Sequence, residues 1–250
     1  EAKKPKLIVI LGPTASGKSA LAVKIAKKIG GEIVSADSRQ VYRGLDIGTG
    51  KITKKEMAGI PHHLLSVSSP RTTITLDTYA RLAHRAIAGI IKRGKIPIIC
   101  GGTGFYIDAV TGTVSIASVE PNPALRRQLE QLSTDKLFEK LLMDDPQRAA
   151  RIDRHNKRRL VRALEIMAAT GKPIPTQYAE CAYETIFLGV SKPPAPLRAA
   201  INARLALWMR RGLLAEIRRL HSTGVSWKKM ESFGLVYRYA SRHAQGIMSK

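Results

Sequence analysis

Hydrophobic residues open the chain as a short unbroken block, Leu7-Ile8-Val9-Ile10-Leu11, which gives way at Gly12 to a glycine-bracketed polar loop ending in Lys18-Ser19. A block that short, bounded by a glycine, predicts a fully buried strand. From Ala20 to Lys28 the apolar positions recur at helical spacing, so a helix packed on a sheet should follow. Gly30-Gly31 ends that pattern, and Glu32 to Ala36 predicts a second buried strand finishing at Asp37. Residues 38–51 are too polar and too rich in glycine for a core element, and predict an active-site loop. Pro61 to Val67 suggests a short strand, Leu76 to Arg93 a helix, and Ile96 to Cys100 a buried strand running into Gly101-Gly102-Thr103-Gly104, with a helix from Phe105.

Strand and helix alternate in this way from Leu7 to Ala109, which predicts a parallel sheet flanked by helices, of the P-loop kinase kind. The pattern then changes. Pro123 to Leu132, Thr134 to Met143, Pro146 to Ile152 and Lys157 to Ala169 are helix-like, with no convincing strand among them, and Pro121, Pro123, Pro173 and Pro175 bracket the block. The expected organisation is an α/β core of residues 1–112 and 184–250 with an all-helical insertion domain of residues 113–183. Glu184 to Val190 returns as a sheet strand, Leu197 to His221 is a long helix interrupted near Gly212, and Trp227 to Ala244 supplies short closing helices.

Charge sharpens this picture. The 250 residues carry 42 Lys+Arg against 19 Asp+Glu, a formal net charge of +23. Such an excess favours a polyanionic partner, because every phosphate neutralised releases counterions. The basic residues cluster: Lys192 to Lys250 holds 12 Lys+Arg against only Glu216 and Glu231, and Arg148 to Arg162 holds seven against Asp153 alone. That clustering reads as a nucleic-acid footprint rather than a uniformly solubilised surface. No run of about 18 apolar residues is present, which argues against a membrane span, and Glu1 to Pro5 does not resemble a signal peptide, so a cytoplasmic address is expected. Cys100 and Cys181 lie far apart without metal-ligand spacing, and both read as ordinary buried thiols.

The loop after the first strand satisfies G-x-x-x-x-G-K-[ST] through Gly12, Gly17, Lys18 and Ser19, with Pro13, Thr14, Ala15 and Ser16 between. Its backbone N–H groups can wrap phosphate oxygens, Lys18 adds a point charge, and the Ser19 hydroxyl is the natural ligand for Mg²⁺. Asp37 stands where an α/β sheet puts its chemistry, at the carboxyl end of a strand beside that loop. It reads as the carboxylate of the site's chemistry, with a Mg²⁺-side or capping carboxylate as the plainer alternative and Asp46 as competitor. His62 and His63 project apart on a strand, which favours structural roles over a shared metal. Arg158 and Arg162 share a helix face suited to gripping an RNA backbone, or simply to facing solvent. Phe105 and Tyr106 read equally as lining of a substrate pocket and as core.

Taken in order, Gly-Pro-Thr-Ala-Ser-Gly-Lys-Ser at 12–19, Asp-Ser-Arg-Gln-Val-Tyr-Arg-Gly-Leu-Asp-Ile-Gly-Thr-Gly-Lys at 37–51, Pro-His-His-Leu-Leu at 61–65, Gly-Gly-Thr-Gly-Phe-Tyr at 101–106, Arg-Arg-Leu-Val-Arg-Ala-Leu-Glu at 158–165, Thr-Gly-Lys-Pro at 170–173 and Ile-Asn-Ala-Arg at 201–204 resemble the tRNA dimethylallyltransferase, or tRNA isopentenyltransferase, family. The resemblance implies transfer of a dimethylallyl group from dimethylallyl diphosphate to N6 of the adenosine 3′ to the anticodon of tRNA, with the enzyme acting on the anticodon stem-loop; a monomer is expected. The diphosphate would sit on Gly12 to Ser19 as a leaving group, so that ATP becomes a look-alike ligand. Asp37 would then take a proton from the flipped-out adenine amine. Thr14 resembles the residue that meets the diphosphate near its ester oxygen, and Arg204 a second positive arm on it. Ser38, Arg39, Gln40, Thr103 and Arg126 resemble tRNA-contacting positions, which Arg158, Arg159 and Arg162 extend.

Ala200 and Ser66 depart from the family pattern, where Arg and Asp are usual. The basic, aromatic segment that usually follows the final helices does not follow Gln245 to Lys250, which predicts retained diphosphate binding with weaker tRNA affinity. Three other functions fit parts of the pattern. An enzyme prenylating free AMP, ADP or ATP would not need the helical block, a nucleotide kinase would need an arginine-bearing lid, and a non-catalytic RNA-binding protein would not need Thr14, Lys18, Ser19, Asp37 and Arg204 together.

Overall fold

The computed structural model describes residues 4–113, 119–173 and 181–248. Pro175, one of the bracketing prolines, and the termini Glu1 to Lys3 and Ser249-Lys250 lie outside them. The chain divides into two compact units, Glu1–Thr111 with Cys181–Lys250, and Gly112–Glu180.

In the larger unit, β1 (Lys6–Leu11) leads through the glycine loop to α1 (Lys18–Ile29) and on to β2 (Glu32–Ala36). The one-turn α2 (Lys54–Met57), β3 (His62–His63), α3 (Leu76–Lys92), β4 (Pro97–Gly101) and α4 (Gly104–Thr111) follow. All strand pairs are parallel, in the order β3-β2-β4-β1-β5, with β5 (Glu184–Gly189) at the edge beside β1. The parallel α/β sheet expected from the strand–helix alternation is therefore present, and β1 lies between β4 and β5, where such sheets open a crevice at their carboxyl ends.

Helices cover both faces of β1, β2 and β4, as a parallel sheet requires, whereas the edge strand β5 leaves Ile186, Phe187 and Leu188 exposed. Leu7, Val9, Val34 and Ile99 face α3 and α4, whereas Ile10, Ile33 and Ile98 face Ala22, Val23 and Ala26 of α1. The small alanines let α1 lie close, with its first turn directly behind the glycine loop. α9 (Pro194–Arg210), α10 (Leu213–Ser222), α11 (Trp227–Glu231) and α12 (Leu235–Ala244) add Trp208, Leu213, Ile217, Met230 and Tyr237 to the first of these two layers. Gly212, with φ 94°, breaks the expected long helix into α9 and α10.

The smaller unit holds α5 (Pro123–Glu130), α6 (Thr134–Asp144), α7 (Pro146–Ala149) and α8 (Lys157–Thr170) around Leu129, Leu137, Leu141, Leu160 and Leu164. Its side chains also bury Glu165 completely, a charge satisfied by Arg126 Nη2 at 2.8 Å, Arg162 Nη1 at 2.6 Å and the backbone N–H of Asn122. Burial alone would raise the Glu165 pKa, but Arg162, Arg126 and that N–H together hold it below the ordinary value.

Two expectations need correction, and one open alternative is resolved. The strand expected over 61–67 keeps only His62–His63, because Leu64 and Ser66 take left-handed backbone (φ 63° and 55°) that cannot continue a strand. Cys100 is buried but Cys181, which precedes the edge strand and lies 3.5 Å from Thr185 Oγ1, is only half-buried. Tyr106 is core, stacked on buried Tyr79 at 3.6 Å, while Phe105 is 55% exposed. Among the described residues no helix is long and apolar enough to cross a membrane.

Candidate active site

The loop after β1 is shaped by close approach. A Cβ on Gly12 would lie 2.3 Å from the Val190 carbonyl, so only glycine lets β1 and the end of β5 come together there. Ala15 and Gly17 both take left-handed backbone (φ 65° and 98°), the kind of alternation that turns successive N–H groups into an anion-binding concavity at a helix N-terminus. Ser16 Oγ is buried with no hydrogen-bond partner among the described residues, an orphaned donor inside the loop. Lys18 Nζ donates to Pro13 O at 3.1 Å, and Lys192 Nζ reaches in from beyond β5 to Ala15 O at 3.3 Å.

A second turn closes on the first. A Cβ on Gly101 would fall 2.1 Å from Ala36 O, so β4 can pass the end of β2 only without a side chain. Thr103 then bridges the gap: its N–H donates to Ala36 O, and its Oγ1 accepts from Ser38 N at 3.1 Å. Asp37 is held by the same knot. Its Oδ1 accepts from Arg39 N at 2.8 Å and Gln40 N at 3.3 Å, so that one carboxylate oxygen caps the turn as the plainer alternative had it. Oδ2 makes no further bond among the described residues.

Electrostatics tie these pieces together. Burial lowers the pKa of Lys18, Cys100 and Asp37 raise it again, and Arg204 lowers it further, so Lys18 lies within electrostatic reach of all three. Arg204 stands on α9 with its guanidinium 5.7 Å from the Trp208 ring, and a Cβ on Gly50 would be 3.6 Å from its Nη1. Cys100, beneath Lys18 and bonded to Ser19, has its thiol pushed up to about 11 by burial, which leaves it a neutral wall rather than a nucleophile. Tyr106 is likewise pushed up to about 12, chiefly by burial.

Loop 38–51 is tied down by a residue far outside its own sequence. Glu216 of α10, 4% exposed, accepts from the backbone N–H of Asp46 (2.9 Å), Ile47 (2.7 Å) and Gly48 (3.1 Å), and from Tyr237 Oη (2.6 Å). Lys51 Nζ ties the other end, donating to Tyr42 O, Asp46 Oδ1 and Ser66 Oγ at 2.7–2.8 Å. Ser66, where an Asp was expected, thus still accepts from this lysine, and Asp46 serves the loop. Gln40 is engaged too, its Nε2 donating to Thr49 O at 3.3 Å. Glu216, Lys51 and Lys192 escaped sequence reasoning. The one available signal was Glu216 itself, an acid on the apolar stripe Leu213, Ile217, Leu220.

The neighbouring histidines serve separate ends, with His63 Nε2 2.7 Å from Glu32 Oε2 and His62 Nδ1 2.8 Å from Ile60 O. Arg158, Arg159, Arg126 and Arg162 belong to the smaller unit; the first two are exposed on the opening turn of α8, and the last two grip Glu165. Among the described residues no cluster of three His, Cys, Asp or Glu could hold a metal. A cation here would therefore need the Ser19 hydroxyl together with oxygens of the ligand, a donor set that suits Mg²⁺.

An anion-binding loop whose lysine lies within electrostatic reach of a carboxylate and a second cation, at the carboxyl end of a parallel sheet, marks a P-loop group-transfer enzyme. The IPP transferase family model matches residues 40–249. A tRNA dimethylallyltransferase of Roseiflexus sp. (strain RS-1) is 43% identical over 246 residues, covering 96% of this chain and 81% of that protein. The crystal structure of a tRNA delta(2)-isopentenylpyrophosphate transferase from Staphylococcus epidermidis superposes with a TM-score of 0.67 at 34% identity, over 98% of this chain and 82% of that one. A eukaryotic dimethylallyltransferase acting on tRNA gives a TM-score of 0.80 at 26% identity, over 97% of this chain and 68% of that one. The chain belongs to the IPP transferase family, and its curated relatives are tRNA dimethylallyltransferases.

Proposed function

We propose that the chain transfers the dimethylallyl group of dimethylallyl diphosphate to N6 of the adenosine 3′ to the anticodon in tRNA. The observation that carries this reading is that Lys18, at the end of the glycine loop, lies close enough to both Asp37 and Arg204 to feel their charges. Two cations can hold a leaving diphosphate while a carboxylate faces the incoming amine. The N6 lone pair forms the new bond to the allylic carbon, the carbon–oxygen bond breaks with its electron pair going to the diphosphate, and the N6 proton passes to Asp37 Oδ2.

The exocyclic amine is a weak nucleophile because its lone pair is delocalised, so base assistance is worth about 10²–10⁴-fold. The amides of Gly12 to Ser19, the Ser16 hydroxyl and Lys18 take up charge on the diphosphate; Thr14 meets its ester oxygen, and Arg204 closes over it. Mg²⁺, held by Ser19 and the ligand's own oxygens, would add charge neutralisation when bound. Ser38, Arg39, Gln40 and Thr103 border Asp37 and receive the flipped base. Arg158 and Arg159 contact the RNA backbone, joined by the outward parts of Arg126 and Arg162, from an insertion of residues 113–183. On this reading the chain works in the cytoplasm as a monomer.

The test is to incubate the protein with labelled dimethylallyl diphosphate, Mg²⁺ and either an adenosine-containing anticodon stem-loop or AMP. Label is expected in the stem-loop. Label in AMP alone would replace this reading with adenylate prenylation, and label in neither would remove it.

A further inference from the structure

On the outer side of loop 38–51 lies a cleft of about 210 Å³ whose walls carry three arginines, Arg43, Arg71 and Arg219, and no carboxylate. Two of these guanidiniums are aimed by backbone carbonyls, Arg43 Nη1 donating to Val67 O at 3.2 Å and Arg219 Nη2 to Gly44 O at 3.3 Å. Such anchoring uses one N–H of each and holds the remaining donors in place. Arg71 makes no side-chain hydrogen bond among the described residues. The floor is apolar, with Leu220 and Val225 almost fully buried, which strengthens any charge interaction above it.

The cleft is also connected to the active site. Lys229 Nζ donates to Thr73 Oγ1, two residues from Arg71, and Lys229 and Arg39 both stand over the Phe233 ring, at 5.8 Å and 6.0 Å. Burial, and after it the nearby Arg39, lower the Lys229 pKa, so these two cations lie close enough to feel each other. A row of positive charge thus runs from Arg39, two residues from Asp37, to the cleft. A small substrate has no use for such a row, whereas a chain of phosphates does.

We propose that the cleft between Arg43, Arg71 and Arg219 seats a backbone phosphate of the RNA substrate, an anchoring point outside the catalytic loop. This rests on the RNA reading above. The guanidinium fork matches phosphate geometry, so the contact positions the RNA without reading its sequence.

The test compares the wild-type chain, Arg71→Gln and the triple variant Arg43→Gln, Arg71→Gln, Arg219→Gln for binding a synthetic anticodon stem-loop between about 50 and 200 mM salt. Each lost contact should make the fall in affinity over that range about threefold smaller, a change in log–log slope of about 0.7–0.9. Turnover at saturating RNA and the KM for dimethylallyl diphosphate should stay at wild-type values. If the triple variant melts early, Arg71→Gln alone decides, because its side chain anchors nothing in the fold. An unchanged slope in Arg71→Gln overturns the proposal, and so does a raised KM for dimethylallyl diphosphate, which would assign the cleft to the small substrate. Failure of the wild type itself to bind the stem-loop would overturn the RNA reading along with it.

Discussion

Replacing Glu216 tests whether one buried carboxylate holds the loop beside Asp37. In Glu216→Gln the shape is kept and the charge is lost. If the amide oxygen stays opposite Asp46 and Ile47, Tyr237 can turn its hydroxyl to accept, but the N–H of Gly48 is left facing another donor. Losing that charge-assisted bond and weakening the two that remain should destabilise the protein by about 2–3 kcal/mol. Glu216→Ala leaves all three loop N–H groups unpaired; at about 1–3 kcal/mol each, tempered by water entering the space, the loss is about 3–5 kcal/mol. For a chain of this size each kcal/mol moves Tm by about 2–4 °C, so the Gln variant should melt about 4–12 °C early. Amide exchange localises the effect: the Ile47 and Gly48 N–H groups should exchange at least about 30-fold faster if about 2 kcal/mol of local protection is lost. Unchanged melting with unchanged protection would show that the packing of Gly48 against Tyr237 and Leu213 holds the loop and that the carboxylate is idle.

Other perturbations have equally definite outcomes. Gly101→Ala puts a methyl group 2.1 Å from Ala36 O and must push β4 from β2, so it should lower Tm by several degrees and abolish transfer; a fully active variant would contradict the close approach. Glu165 has its pKa lowered in the fold, so its contribution is complete above the ordinary glutamate value of about 4.3 and disappears as pH falls through the folded value. Arg126→Met should move the acid-induced loss of helical signal to higher pH, and an identical acid transition would refute the ion pair's role. With its thiol at about 11, Cys100 is thiolate in only about one molecule in a thousand at pH 8, so iodoacetamide should label Cys181 well before Cys100. The reverse order would mean that the floor of the site opens.

Features set by neighbours in sequence were legible, and those set by distant contacts were not. The glycine spacing of 12–19 and the strand–helix alternation up to Ala109 are local, because a buried strand, a tight turn and an amphipathic helix each leave their own period. Glu216 stands out locally only as an acid on an apolar stripe; its meaning comes from three N–H groups some 170 residues earlier, which only the fold brings to it. Lys192 was one cation among many until β5 laid it against Ala15. Arg126 and Arg162 read as free cations because nothing in the helical block announces that Glu165 is its buried acid. The short β3 failed for the opposite reason: left-handed backbone at Leu64 and Ser66 carries no glycine to mark it. Asp37 was legible in place but not in partners, since the turn that uses its Oδ1 is built by the residues after it.

The central claim is that Asp37 accepts the proton released when the adenine amine attacks. It is tested most directly by single-turnover transfer from dimethylallyl diphosphate to an anticodon stem-loop by the wild type and by Asp37→Asn, with RNA affinity measured on the same samples. Asparagine can still cap the turn through its amide oxygen but cannot take the proton. Transfer should fall by about 10²–10⁴-fold with RNA affinity nearly unchanged. Transfer at the wild-type rate by a well-folded Asp37→Asn protein would contradict the account.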